Sequence, residues 1–357
     1  MEFTTTKAQI DEPLKMAASV VTKSATHPVL SHVLMQADDN GVVRLTGTDT
    51  RSEVVTQMGV QTRNAGSLTV PAHKLRDICA SMKDDDSQIR FAVNGEQLSV
   101  SSGNSKFKIR TLPADHFPNI EHDDIKLARE VSQRDLKALL DGIMPAMASK
   151  DVRHYLNGIC FSIKGTMLEG VATDGHRLNV DQIEVGAPSA ATNNDSEALQ
   201  DASVGEADGQ VLIPRDFVMN LNRMLSNYDE PVALVVSHNH FQIRRGDTVY
   251  TSKLIEGNYP DYNRIMPASN DTPVIADTQS LKAALERIKV ISDGMFHGAS
   301  VSIETNSMQL DSHNADQEQV SEPVSVDYQG DAIKLGFNAA YLIDALKACG
   351  SEQVQIH

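Results

Sequence analysis

The chain has no tryptophan, only three cysteines, and aromatic residues at just 4% of its 357 positions. So sparse an aromatic complement argues against a base-stacking platform of the kind single-strand and RNA binders use. Cys79, Cys160 and Cys349 lie far apart on apolar faces and form no CxxC or Cys/His cluster. They read as reduced core thiols, not a disulfide framework or zinc site. None of the twelve histidines has HExxH spacing, so no metal is expected. His238 and His240 flank Asn239 in an apparent hairpin turn and are expected in solvent. No stretch reaches the roughly 18 apolar residues of a membrane span. The opening MEFTTTKAQIDEP lacks an apolar signal segment, which points to a soluble, cytoplasmic protein. Positive charge is scarce as well: 32 Lys and Arg stand against 48 Asp and Glu, a formal −16. That balance argues against phosphate binding unless the cations gather on one surface.

What the chain does have is repetition. Its length suggests two or three domains, and a strand-end, turn and helix pattern occurs three times, as VPAHKLRDICASM from Val70, IPRDFVMNLNRML from Ile213 and FNAAYLIDALKAC from Phe337. Each carries an apolar stripe at helical spacing: Leu75, Ile78, Cys79 and Met82; Phe217, Val218, Leu221, Met224 and Leu225; Tyr341, Leu342, Ala345 and Leu346. An earlier helix precedes each copy, striped by Ile10, Leu14, Ala17 and Val21, by Leu136, Leu139, Leu140 and Ile143, and by Leu281, Leu285 and Ile288. Gly47-Thr48-Asp49 and Ala172-Thr173-Asp174 fall in corresponding places, with a degraded Asn314-Ala315-Asp316 in the third copy. FKIRTLPADHFPNI from Phe107 aligns with VYTSKLIEGNYPDY from Val249, each ending a unit. A third such segment would fall past His357, so the third unit is expected to lack its C-terminal strands. The pattern predicts an α+β protein of three similar domains, 1–125, 126–266 and 267–357, each laying two helices on antiparallel sheets. One stretch fits no repeat: the Ala-, Ser- and Asp-rich segment from Gly186 to Gly209, read as an acidic surface insertion of the middle unit over about 187–209.

Two stretches look functional. VATDGHRL, from Val171, reads as a buried strand running into a Gly-containing turn that delivers Thr173, His176 and Arg177 to one rim. NYPDYNRIM, from Asn258, sets Pro260 between Tyr259 and Tyr262 with Arg264 beside them. Together they predict a shallow apolar pocket with a cationic edge, suited to a short peptide. Asp174 and His176 also suggest a hydrolase's acid–base pair, but close neighbours on a turn rarely face each other, and neither a nucleophile nor an orienting third group accompanies them. On the outward helix faces, Lys15, Lys23, Arg134, Arg223 and Arg287, flanked by Lys137 and Lys282, give a basic bias. It suits nonspecific contact with duplex phosphates, and no sequence-reading helix is evident.

In these residues the chain resembles the β sliding clamps of bacterial DNA polymerase III. The resemblance is carried by TGTD from Thr46, TLPADHFP from Thr111, DVRHYLNG from Asp151, VATDGHRL, TSKL from Thr251, YPDY from Tyr259 and GFN from Gly336. It implies a homodimeric ring of six domains around duplex DNA, loaded by a clamp loader and without catalytic residues or cofactor. Expected partners are the polymerase α subunit and other clamp-binding polymerases and repair proteins. Carried over by position, the partner-peptide pocket comprises Leu156, Thr173, Gly175, His176, Arg177, Leu178, Pro260, Arg264 and Ile265. Duplex contacts fall on Lys23, Ser24, Lys150, His154 and Tyr155, with Ser24 standing where an Arg is usual and His154 where a Tyr is usual. At the protomer junction, Phe107 and Ile109 are expected to meet Leu281 of the partner subunit. A truncated or virus-borne clamp with altered partners is the alternative within the same family.

Overall fold

Each of the three units opens on a strand that runs directly into a capped helix. Thr6 and Gln9 form a reciprocal capping box, Ser132 accepts from the Asp135 amide, and Asp277 accepts from the Ser280 amide. These caps satisfy amides that a helix start leaves without partners, which fixes where each helix begins. The computed structural model describes residues 1–22, 26–121, 123–187, 210–267, 271–292 and 297–357.

Unit I comprises β1 (Glu2–Thr6), α1 (Lys7–Ser19), β2 (His32–Ala37), β3 (Val42–Thr48), β4 (Ser52–Gly59), β5 (Gln61–Asn64), β6 (Gly66–Pro71), α2 (Ala72–Ala80), β7 (Gln88–Asn94), β8 (Gln97–Ser102) and β9 (Ser105–Arg110). Unit II repeats the order with β10 (Ile125–Ser132), α3 (Gln133–Ile143), β11 (Gly158–Lys164), β12 (Met167–Thr173), β13 (Leu178–Glu184), β14 (Gln210–Pro214), α4 (Arg215–Met224), β15 (Pro231–Ser237), β16 (His240–Arg245) and β17 (Thr248–Lys253). Unit III has β18 (Val274–Asp277), α5 (Thr278–Ile291), β19 (Gly298–Glu304), β20 (Ser307–His313), β21 (Gln319–Asp327), β22 (Ile333–Asn338), α6 (Ala339–Cys349) and β23 (Gln353–Ile356).

Among the described residues every strand pairing is antiparallel, and one sheet crosses from unit to unit: β17 pairs with β4, Tyr250 opposite Val54 and Ser252 opposite Ser52, giving the order β10-β15-β16-β17-β4-β3-β2-β6. Each unit has its own core beneath its helices. The first-helix stripes are buried as expected, with Leu136, Leu139, Leu140 and Ile143 all at 0% exposure. Burying each such side chain contributes about 1.5–3 kcal/mol. The helices pack side by side: α1 on α2, α3 on α4, α5 on α6, and α3 on α6 across the unit boundary. Met16 of α1 belongs to the same buried cluster as Leu221 of α4, so the unit II core reaches across the joint to α1.

Four expectations need correction. The third domain does not end at its last helix. Gly350, left-handed at φ 61°, terminates α6, and β23 then pairs with β18, Val354 opposite Ala276. The stripe of α6 is rotated from its expected position: Ala339, Ile343 and Leu346 are buried while Ala345 is exposed. Tyr341 faces unit II instead, and Cys349 is therefore exposed, unlike the buried Cys79 and Cys160. Finally, His240 is buried at 5% exposure with Nδ1 3.1 Å from Asp123 Oδ2, because β16 begins at the residue itself. The acidic insertion is anchored at its start by a two-way backbone pairing of Gly186 with Glu130; residues 188–209 lie outside the described residues.

Candidate functional site

The turn after β12 is fixed by its own side chains. Thr173 Oγ1 donates to the Arg177 carbonyl at 2.6 Å and accepts from the Gly175 amide at 3.1 Å. Asp174 Oδ1 accepts from the His176 and Arg177 amides at 2.9 and 3.0 Å. Gly175 sits at φ 87°, a conformation that strains any residue with a Cβ. A Cβ there would also lie 2.9 Å from Arg153 Nη2, so the guanidinium lies close over the glycine.

Arg153 ties this turn to the loop before β11. It donates to the Asp174 carbonyl at 3.3 Å and forks onto Asp151 at 3.0 and 2.8 Å, holding the Asp151 carboxyl down at about 2. Asn157 closes the same loop by bonding both backbone groups of Asp151. Leu156, Cys160, Val171, Leu212, Tyr259 and Tyr262 form an apolar floor, with Tyr155 and Leu178 packed at its margin. Burial pushes the Cys160 thiol up to about 12, which leaves it inert under the floor.

The rim differs from expectation in one respect. Arg177 does not stand free at the edge: Nε donates to Asp174 Oδ2 at 3.1 Å, Nη1 donates to Asp344 Oδ2 at 2.7 Å, and the guanidinium lies 4.4 Å from the Tyr341 ring centre. It is a tie between unit II and α6 of unit III. His176 is exposed, Pro260 is exposed on the second segment, Arg264 pairs with Asp261 at 2.9 Å, and Ile265 is 68% exposed. Asp174 has its oxygens committed to turn amides and to Arg177, and no hydrogen bond among the described residues joins its side chain to that of His176. The acid–base pair is not assembled.

Of the expected duplex contacts, Lys150 and His154 are exposed on the 149–157 loop and Tyr155 is half-buried; Lys23 and Ser24 lie outside the described residues. The helix cations are partly neutralised, since Arg134 pairs with Asp229 at 2.9 Å and Arg287 with Glu322 at 2.7 Å. At the expected junction, Phe107 is half-buried on β9, whereas Ile109 and Leu281 are buried in the cores of their own units. Among the described residues no group of three or more His, Cys, Asp or Glu could hold a metal, and no helix is long and apolar enough to cross a membrane. Sequence reasoning missed Arg153, Asp344 and Tyr341. The first lies inside a quoted motif, but the other two are brought in only by domain packing.

Three consecutive parts of the chain match the DNA polymerase III beta subunit: its N-terminal domain over residues 1–121, central domain over 130–261 and C-terminal domain over 263–357. The beta sliding clamp of Pseudomonas aeruginosa is 36% identical over 356 residues, covering 99% of this chain and 92% of the relative. That of Escherichia coli K12 is 34% identical over 357 residues, covering 100% and 92%. Among solved structures, a Pseudomonas aeruginosa sliding clamp bound to griselimycin superposes with a TM-score of 0.90 at 35% identity, covering 99% of this chain and 92% of the other. A Caulobacter crescentus clamp with polyethylene glycol bound to its putative beta-motif tethering region reaches 0.89 at 28%, covering 99% and 92%. The chain belongs to the DNA polymerase III beta subunit family, the bacterial sliding clamps.

Proposed function

We propose that two copies of this clamp close head to tail into a six-domain ring around duplex DNA, and that the Thr173–Leu178 turn with the 258–266 segment takes peptides of the proteins it tethers. The clamp is an accessory processivity factor of the replicative DNA polymerase and has no catalytic role. Its units, with limits near residues 125 and 266, supply the ring's repeating step.

The observation that carries this reading is the joint between units I and II. There β17 adds to the edge of β4, making one sheet of two units. The strand in the place of β17 in unit I is β9, which ends its sheet, and the strand in the place of β4 in unit III is β21, whose last residues Val326 and Asp327 pair with β18 and leave the stretch before them for the joint. Joining β9 of one copy to β21 of another repeats the internal joint and closes a two-fold ring. Phe107 stands half-buried on β9 and would make that contact, flanked by exposed Lys106 and Lys108. A continuous helix row would then face the duplex, and Lys150, His154 and Tyr155 would touch phosphates weakly enough to permit sliding. The peptide pocket is supported by its apolar floor and by the fixed turn above it. Polymerase α subunit, clamp loader and repair polymerases are the proposed partners, and the cytoplasm the proposed compartment.

Encirclement makes a topological prediction. Loaded clamp should persist on nicked circular DNA and run off linear DNA of the same length within minutes; equal retention on both would exclude it.

A further inference from the structure

We propose that Tyr262 and Glu169 are positioning residues for the peptide pocket, setting the place of an apolar lip formed by Ile265 and Met266. This rests on reading the Thr173–Leu178 rim as a peptide site. Neither residue lines that rim. Tyr262 is buried at 7% exposure with its ring in the floor, and its hydroxyl donates to Glu169 Oε1 on β12. Burial, reinforced by the adjacent carboxylate, pushes the phenol well above the usual tyrosine range, so it remains a donor at neutral pH. A hydrogen bond to a carboxylate is among the stronger side-chain bonds in a protein.

The other end of the same residue controls the lip. The Tyr262 carbonyl accepts from the amides of Ile265 and Met266, at 3.1 and 3.2 Å. The short turn Tyr262–Arg264 thus starts from a residue held at both its ring and its hydroxyl, and it presents Ile265 at 68% and Met266 at 51% exposure. Two neighbouring large apolar side chains held in solvent, bonded through their amides to a residue of the apolar floor, fit an apolar anchor of a bound peptide. The phenol–carboxylate bond fastens the 258–266 segment to the strand that ends in Thr173. It therefore fixes the distance between the two walls of the pocket.

The test uses the full chain, a fluorescein-labelled hexapeptide containing one leucine and one phenylalanine, and methyl NMR of the methionines with Met266 assigned by M266L. Tyr262→Phe keeps the ring and removes the hydroxyl. It should weaken peptide binding roughly tenfold and shift the Met266 methyl resonance, while the thermal midpoint stays close to that of the parent. Glu169→Gln retains an acceptor, so it should keep most of the affinity and most of the resonance position. Parental affinity together with an unmoved Met266 resonance in Y262F overturns the proposal, as does a loss of affinity matched by a general loss of thermal stability in both variants. If the parent binds no peptide, the pocket reading falls, and the Met266 resonance in Y262F and E169Q alone decides the positioning role.

Discussion

The turn at Thr48 in unit I and the turn at Thr173 in unit II are built by the same hydrogen bonds. Thr48 Oγ1 donates to the Ser52 carbonyl at 2.8 Å and accepts from the Thr50 amide at 3.0 Å; Thr173 does the same with Arg177 and Gly175. Asp49 Oδ1 takes the Arg51 and Ser52 amides as Asp174 takes those of His176 and Arg177. The surroundings of the two turns differ. In unit I, Ser52 and Glu53 are buried beneath the joint with β17 and the linker; in unit II, the matching Arg177 and Leu178 reach α6 and the apolar floor. One local device serves as a joint in one place and as a candidate binding rim in the other. The difference comes from what packs on it, so substitutions that exchange the two turns should separate their roles.

The largest effect is expected just before the turns, where Gly47 stands in the place that Ala172 takes in unit II. A Cβ on Gly47 would lie 1.8 Å from the Ala17 carbonyl oxygen, because α1 rests directly on β3. Ala172 carries its methyl in the unit II core without such contact. Gly47→Ala should therefore destabilise unit I by about 3 kcal/mol or more, whereas Ala172→Gly should cost about 1 kcal/mol. Urea unfolding of the two variants measures both, and equal losses would show that the helices approach the turns alike.

Arg177 comes next. Arg177→Ala leaves Asp174 and Asp344 without their shared cation and removes the contact with Tyr341. A loss of about 2 kcal/mol is expected, since the guanidinium is only 21% exposed. Arg51, one residue earlier in the corresponding turn, is exposed, and Arg51→Ala should fall within about 0.5 kcal/mol of the parent. Thermal melts compare the pair, and peptide binding should drop in the first variant alone.

The two turns were legible in the sequence because the Thr-Asp pair that encodes them locally recurs at Thr48-Asp49 and Thr173-Asp174. The same holds for the first-helix stripes, which are buried against strands of their own unit: α1 on β4, β3 and β1, α3 on β13, β12 and β10, α5 on β21, β20, β18 and β19. The inward turn of Arg177 was not legible, since its partners Asp344 and Tyr341 lie more than 160 residues away on another unit. The rotated stripe of α6 has the same origin: Tyr341 reads as a core position by spacing, yet it is drawn to a cation across the domain boundary. His240 likewise looked like a turn residue until Asp123, from the linker, covered it. Periodicity reports a helix's relation to its own sheet and is silent about neighbours.

Glu53 sharpens the contrast through pH. It is 3% exposed, and burial raises its pKa above the ordinary glutamate value, offset only partly by the Ile120 amide at 3.4 Å. The unfolded chain therefore ionises first as pH rises. Stability is fully present below the ordinary carboxylate range and is lost as pH climbs through the folded value. Glu53→Gln should flatten that decline, while Leu178→Gln in the matching place of unit II should leave the pH profile parallel to the parent's. Urea midpoints from mildly acidic to neutral pH give the slopes, and an unchanged slope in E53Q would assign the decline to other groups.

The smallest effect concerns the residue at the head of each turn. Thr50 adopts φ 75° and Gly175 φ 87°, both left-handed, but only Gly175 does so without a side chain. A β-branched residue there carries strain of about 1–2 kcal/mol, set against the extra freedom that glycine gives the unfolded chain. Thr50→Gly should therefore stabilise unit I by about 0.5 kcal/mol, a rare gain from adding glycine. Gly175→Thr, the reverse exchange, should destabilise by more than that gain, because its Cβ meets the Arg153 guanidinium as well. If the two changes proved equal and opposite in denaturant titrations, Arg153 would have no hold on the turn through Gly175. Arg153 would then hold the candidate pocket rim through its bond to the Asp174 carbonyl, beside the packing of Leu156 and Tyr155 against the floor.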